Sequence, residues 1–284
     1  MERNRKIQLA VVGIFLIVNI FIWAAVFRTD SRGVLTIAFL DVGQGDAIYI
    51  EAPNGNQVLI DGGSGRQVLR ALGHVMPFYD RSLDVVLATH PDQDHVGGLP
   101  AILERMQVGN VVTTENTSNT GAYGAFEEAI RNERASRFVA RAGERIILDD
   151  DIVLEILFPD RNAYGWDTNT SSIVARLTYR EKSFLFTGDS PIAIERQLTA
   201  MYGGGLHTTV LKLGHHGSRT SSSREYLSAV NPEYAIISAG LNNMYGHPHK
   251  EVTALLQELK IPEMSTAKSG TIIFTTNGEE LDIK

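Results

Sequence analysis

Thr89-His90-Pro91-Asp92-Gln93-Asp94-His95-Val96-Gly97-Gly98 sets two imidazoles and two carboxylates within six consecutive positions. The stretch follows the apolar run Val85 to Ala88, which reads as a strand, and precedes Leu99 to Met106, which has helical spacing. Carboxylates and imidazoles packed this densely repel one another and solvate poorly unless cations neutralise them. His90 and Asp92 alternate, so their side chains can converge on one metal, while Asp94 and His95 turn toward a second. A solvated loop with incidental histidines is the bland alternative; it explains a lone histidine easily and this grouping poorly.

Outward from that loop the chain reads as short strands and helices. Val34 to Leu40, Ala47 to Glu51 and Gln57 to Ile60 read as strands, the last two joined at the turn signal Pro53-Asn54-Gly55-Asn56. Gly65 to Leu72 reads as a helix, Val111 to Thr114 as a strand and Tyr123 to Arg134 as a helix. Strands follow at 145–148, 152–158, 172–179 and 183–187, and Pro191 opens a helix to about Met201. A strand at 208–213, a helix at 223–229, a strand at 234–238, a helix at 251–259 and strands at 271–276 and 279–283 complete the reading. Runs of strand then helix, twice over, predict two packed sheets with helices on their outer faces.

Potential ligands recur where apolar strands end: Asp189 in Thr187-Gly188-Asp189, and His215 and His216 in Leu211-Lys212-Leu213-Gly214-His215-His216-Gly217-Ser218. His247 and His249, in Tyr245-Gly246-His247-Pro248-His249, precede a helix. Taken alone, Asp189 could equally cap the helix that Pro191 opens. His74 and His207 fall outside every such group and read as ordinary histidines.

The His90 to His95 segment resembles the leading metal motif of the metallo-β-lactamase superfamily, His-x-His-x-Asp-His, with Asp92 in place of the second His. Asp-x-Asp-His is usual in the hydrolase domain of the ComEC family of competence proteins. Phe39-Leu40-Asp41-Val42-Gly43-Gln44-Gly45-Asp46 resembles that group's opening motif, and Leu59-Ile60-Asp61-Gly62-Gly63 resembles the superfamily's first. The resemblance covers roughly residues 34 to 260 and implies an α+β fold, a four-layer αββα sandwich.

It further implies metal ligands at His90, Asp92, Asp94, His95, Asp189 and His247, with Asp189 bridging two divalent cations. The oxygen-rich set moves the expectation from zinc alone toward manganese or magnesium, so Mn²⁺ or Zn²⁺ is expected and Mg²⁺ is compatible. Water then attacks and no side chain serves as nucleophile. In that scheme Asp94 orients the water or protonates the leaving oxygen, and Lys212 or Ser218 contacts the phosphate. One of His215 and His216 faces the metals or the scissile phosphate, His216 being preferred, and the other packs behind it. His249 is a helix N-terminal or supporting residue. Asp41, Gln44, Asp46 and Asp61 support the site, and Asn169 and Ser171 stand where the superfamily usually offers another His, available to hold substrate oxygens.

Composition narrows the function. There is no cysteine, so thiolate ligands, disulfides and a cysteine nucleophile are excluded. The net charge is −7, of which residues 1–27 contribute +2, so the rest is acidic at −9. Such a domain attracts a polyanion only through a local basic patch or bound cations. Ile7 to Phe27 is about 21 residues without a formal charge, enough to span a bilayer. Arg3, Arg5 and Lys6 before it place the N-terminus inside. The expected organisation is an anchor at 1–29 and an extracytoplasmic hydrolase domain at 30–284; a cleaved signal peptide is the competing reading. The expected activity is a DNA phosphodiesterase, with a DNA-uptake channel as one conceivable partner. A hydrolase of small esters, lactones or phosphodiesters is the alternative enzyme, and a non-catalytic binding domain the alternative outside enzymes.

Overall fold

A computed structural model describes residues 2–29, 33–133 and 135–284. The linker expected at Asp30 to Gly33 lies outside the described residues for positions 30–32, as does Arg134, the expected end of a helix. The first element, α1 (Glu2–Thr29), contains a segment, Glu2–Trp23, that is long and apolar enough to cross a membrane. Its leucine, isoleucine and phenylalanine side chains between positions 7 and 22 are exposed on every face, unlike those of a core helix.

The described residues build two sheets. In spatial order the first holds β15 (Leu281–Ile283), β14 (Ile272–Thr276), β1 (Leu35–Phe39), β2 (Ile48–Glu51), β3 (Gln57–Ile60), β4 (Ser82–Ala88), β5 (Gln107–Thr113) and β6 (Ser136–Val139). The second holds β13 (Glu263–Ser265), β12 (Tyr234–Ile237), β11 (Val210–Lys212), β10 (Lys182–Phe186), β9 (Val174–Tyr179), β8 (Ile152–Phe158) and β7 (Arg145–Asp149). Helices α2 (Gln67–Val75), α4 (Leu99–Leu103) and α5 (Gly121–Glu133) pack on the first sheet, while α6 (Ile192–Tyr202), α7 (Arg224–Val230) and α8 (Lys250–Glu258) pack on the second. Between α2 and α4 lies the single turn α3 (Gln93–Val96), and α9 (Thr266–Ser269) follows β13.

The layering follows from the two-residue period of a strand. Ile37 and Phe39 of β1 point between the sheets, where they meet Phe184, Phe186 and Phe274; Ala38, the next residue over, points to the helices with Tyr49 and Leu59. In β10 Leu185 likewise leaves the inter-sheet core and joins Ile194, Leu198 and Leu227 under α6 and α7. Strands buried on both faces read as unbroken apolar runs, which is why the sequence shows so little alternation. The expected αββα sandwich is the fold observed. β6 and β13 are absent from the sequence reading: each is a short strand at the end of its sheet, and β6 is exposed throughout, so neither carries an apolar pattern.

Strand direction positions the site. β3, β4, β5 and β6 run parallel, as do β10, β11, β12 and β13, so their carboxyl ends deliver loops to common edges. Loops meet there at very short range: a Cβ on Gly98 would lie 2.0 Å from the Gly62 carbonyl oxygen, and one on Gly45 2.0 Å from that of Asp94.

Candidate metal centre

Each strand end contributes a fixed side chain. Asp61 follows β3 and, fully buried, accepts from the Thr89 backbone N–H (2.7 Å), the Thr89 hydroxyl (2.7 Å) and His95 Nδ1 (2.8 Å). That last bond turns His95 Nε2 toward Asp189, at 3.3 Å from Oδ1. His90, after β4, sets Nδ1 3.0 Å from the Thr89 hydroxyl, which leaves its Nε2 3.7 Å from Asp92 Oδ2 and 4.0 Å from Asp189 Oδ2. His216, after β11, pins Nδ1 on the Ser238 carbonyl oxygen (2.9 Å) and presents Nε2 to Asp94 (3.2 Å) and Asp189 (3.5 Å). Fixing one ring nitrogen by a hydrogen bond selects the tautomer and aims the other.

Asp189 lies at the middle, its Oδ2 also 3.8 Å from His215 Nε2. One ligand atom from each of Asp46, His95, Asp189 and His216, all buried, lies within 4.8 Å of every other. The Nε2 atoms of His90, His95 and His216 and Oδ1 of Asp189 are buried with no hydrogen-bond partner among the described residues. Orphaned buried donors and acceptors aimed at one volume are costly. Two atoms bonded to one cation at about 2.1 Å lie roughly 3.0–3.5 Å apart, so these residues fit divalent metal.

The electrostatics agree. Burial pulls the His90 imidazole down to about 3, reinforced by His95. Burial also opposes charge on His216, yet Asp189, Asp46 and Asp94 push it up to about 9. His95 is raised well above its ordinary value against its own burial by Asp189 and Asp61, and Asp189 is held far below the usual carboxylate range by His216 and His95 despite burial. The carboxylates thus draw positive charge onto two imidazoles, the charge that cations would otherwise supply.

Both histidines after β11 reach the cluster, His216 buried and His215 at its open side with Nδ1 3.0 Å from the Thr220 hydroxyl. Both adopt left-handed backbone, φ 48° at His215 and 55° at His216, which costs of order 1 kcal/mol or more each and is sustained by packing at functional positions. The His247 ring lies 5.4 Å from that of His215 and 6.1 Å from that of His216, so it stands at the mouth rather than among the carboxylates; its Nδ1 is buried without a hydrogen-bond partner among the described residues. His249 stands at the N-cap position of α8 without a side-chain capping bond, and its Nδ1 accepts the Arg219 N–H at 3.1 Å.

Several expected contacts differ. Lys212 is fully buried and pairs with Asp46 beneath the cluster, its ammonium also 3.2 Å from the Gly188 carbonyl oxygen, so it faces no substrate phosphate. Ser218 is buried, its oxygen accepting from Thr220 Oγ1 at 3.0 Å. Asp41 is exposed and closes a local turn by accepting the Gly43 N–H at 3.1 Å. Ser171 is fully buried, donates to the Thr168 carbonyl oxygen (2.7 Å) and accepts from Asn116 (3.0 Å), which ties down a loop. Gln44 accepts from the Gly240 N–H at 3.2 Å, joining two loops. Asn169 keeps a buried Oδ1 without a hydrogen-bond partner among the described residues and stays available. Thr89, Thr168 and Asn116, which the sequence reading passed over, orient the site; only adjacency to His90 could have signalled Thr89, and nothing local signals the other two.

ComE operon protein 3 of Bacillus subtilis (strain 168) is 30% identical over 288 residues, 95% of this chain and 36% of that protein. Competence protein ComA of Neisseria gonorrhoeae is 33% identical over 238 residues, 82% of this chain and 31% of that protein. The chain spans about a third of the length of these curated relatives. Among solved structures, the metallo-beta-lactamase fold protein YhfI of Bacillus subtilis matches with a TM-score of 0.57 at 12% identity, covering 85% of this chain and 100% of that one. Zinc-bound PqqB of Methylobacterium extorquens matches with 0.56 at 12% identity, covering 82% of this chain and 97% of that one. Both likenesses speak to the fold. The profile of the metallo-beta-lactamase superfamily spans residues 40–240, the stretch that delivers every buried side chain of the cluster, and the chain belongs to that superfamily of metal-dependent hydrolases.

Proposed function

We propose that the protein is a metal-dependent phosphodiesterase that cleaves DNA on the outer side of the membrane, held there by α1 with its N-terminus in the cytoplasm. The reading is supported chiefly by Asp189, which offers one oxygen to His95 and the other to His90 and His216, in a chain whose curated relatives are competence proteins.

His90, Asp92 and Asp189 would hold one cation, and Asp94, His95, His216 and Asp189 a second, with His247 at the entrance. Asp92 in place of an imidazole favours Mn²⁺ beside Zn²⁺. When bound, the cations acidify water and neutralise phosphate oxygens. The chain's own groups do the rest. Asp61, Thr89 and the Ser238 carbonyl hold the imidazoles in register; Asp94, the more exposed of the carboxylates facing His216, is placed to orient a water. Lys212 sustains charge balance from below.

The test uses the full chain in detergent with single-stranded DNA, plasmid DNA and bis-p-nitrophenyl phosphate. Turnover should require Mn²⁺ or Zn²⁺, vanish with EDTA, and vanish in Asp92→Ala and His95→Ala variants of unchanged circular dichroism. Wild-type rates in either folded variant would overturn the assignment.

A further inference from the structure

The imidazoles form a row, His90 to His95 at 4.0 Å, His95 to His216 at 5.3 Å and His216 to His247 at 6.1 Å between ring centroids. A loop stands at each end. At the first, residues 160–168 are tied to the cluster by the Thr168 hydroxyl, which donates to Asp92 Oδ2 at 3.0 Å. This loop exposes Tyr164 (69%) and stacks the Arg161 guanidinium over Trp166 at 5.3 Å. At the other end Tyr245, 58% exposed, lies face to face with His247 (5.7 Å, 21°), beside Met244, which is 90% exposed. Arg219 comes alongside through its backbone bond to His249.

We infer that these two loops are a base-stacking rim for single-stranded nucleic acid, with Tyr164 and Tyr245 receiving bases and Arg161 and Arg219 meeting the flanking phosphates. For its substrate the inference rests on the phosphodiesterase reading. An exposed aromatic face gains by stacking on a nucleobase whatever its identity. Arg161 lies three residues before Tyr164 in the first loop, and Arg219 is held beside the second through His249, so each end offers both an aromatic face and a cation to a strand of bases and phosphates. Asp160 (3.8 Å from Arg161) and Glu251 (3.7 Å from Arg219) counter the arginines only through exposed pairs, which a phosphate readily displaces. In an otherwise acidic molecule Arg161 and Arg219 are the cations these two loops offer to a phosphate. Duplex DNA hides its base faces in the helix and cannot use the rim.

Binding is measured by fluorescence anisotropy on the full chain in detergent with Ca²⁺, using a labelled thymidine octamer, an abasic octamer of the same backbone and an octamer duplex. The thymidine octamer should bind about tenfold more tightly than either alternative. Tyr164→Ala and Tyr245→Ala should each weaken it by roughly three- to tenfold while leaving the abasic octamer unchanged, and the phenylalanine variants should restore it. Unchanged abasic binding doubles as the control for folding. Equal affinity for thymidine and abasic octamers, losses shared by both, or tighter duplex binding would each overturn the rim. Bis-p-nitrophenyl phosphate carries no base, so its cleavage by the wild type with Mn²⁺ decides the phosphodiesterase reading separately.

Discussion

His95 Nδ1 sits 2.8 Å from Oδ2 of Asp61, both residues fully buried, and this single bond determines which nitrogen of the imidazole faces Asp189. Asp61 lies after β3 and His95 within α3, 34 positions apart, so the bond also joins the two loops. Asp61→Asn should keep the shape but lose the anionic acceptor, and metal affinity should fall by about 10- to 100-fold. Titration calorimetry with Mn²⁺ and Zn²⁺ checks this; affinity equal to wild type would show that Asp61 does not set the tautomer.

The Lys212–Asp46 pair stands wholly inside the protein. Burial opposes ionisation of Asp46, and Lys212 first, then His216, holds its carboxyl below the usual range. Lys212→Met should therefore strand a buried charge and destabilise the fold by about 3–5 kcal/mol in denaturant titrations under EDTA. Adding Asp46→Asn should recover part of that loss. A single variant as stable as wild type would contradict the pairing.

Gly98 is fixed by space rather than by backbone angle. Its Cβ would collide with the Gly62 carbonyl oxygen at 2.0 Å and with that of Gly65 at 2.5 Å. Gly98→Ala should cost more than about 2 kcal/mol and lower metal affinity, because the Gly62 loop carries Asp61. Gly73, with nothing within 4 Å of its Cβ position, is the control, where alanine should be neutral or stabilising in thermal melts.

Glu195 on α6 accepts the Ser222 and Ser223 N–H groups at the start of α7, yet burial raises its carboxyl above the ordinary value of 4.5. Ionising it costs more in the folded than in the unfolded chain. The stability it contributes is full below about pH 4.5 and declines as pH rises through the folded value. Glu195→Gln lacks this titration, so the melting-temperature gap between wild type and variant should move in the variant's favour between about pH 4 and pH 7. A gap independent of pH would refute the raised value.

Much of the site was legible because clusters of ionisable side chains are local and compositional. Four ionisable groups in the His90 to His95 loop, Asp189 after β10 and the paired histidines after β11 could be placed at strand ends from hydrophobic runs alone, and the structure brings them together. Lys212 and Ser218 illustrate the opposite case. Residue type suggested phosphate contact, but whether an ammonium faces solvent or an internal carboxylate depends on what packs above it, and here Asp46, from a loop 166 residues earlier, claims Lys212.

By itself the sequence determined the two-sheet sandwich, the apolar N-terminal segment and most of the ionisable side chains that gather at the strand ends, since each is written in periodicity, run length or local density of ionisable groups. Only the tertiary structure decided which nitrogen each imidazole presents, that His216 stands nearer the carboxylates than His247, and that two aromatic loops close the ends of the histidine row. Those outcomes hang on contacts between segments far apart in the chain, and hydrogen bonds such as His95–Asp61 and His216–Ser238 exist only once both sheets have packed.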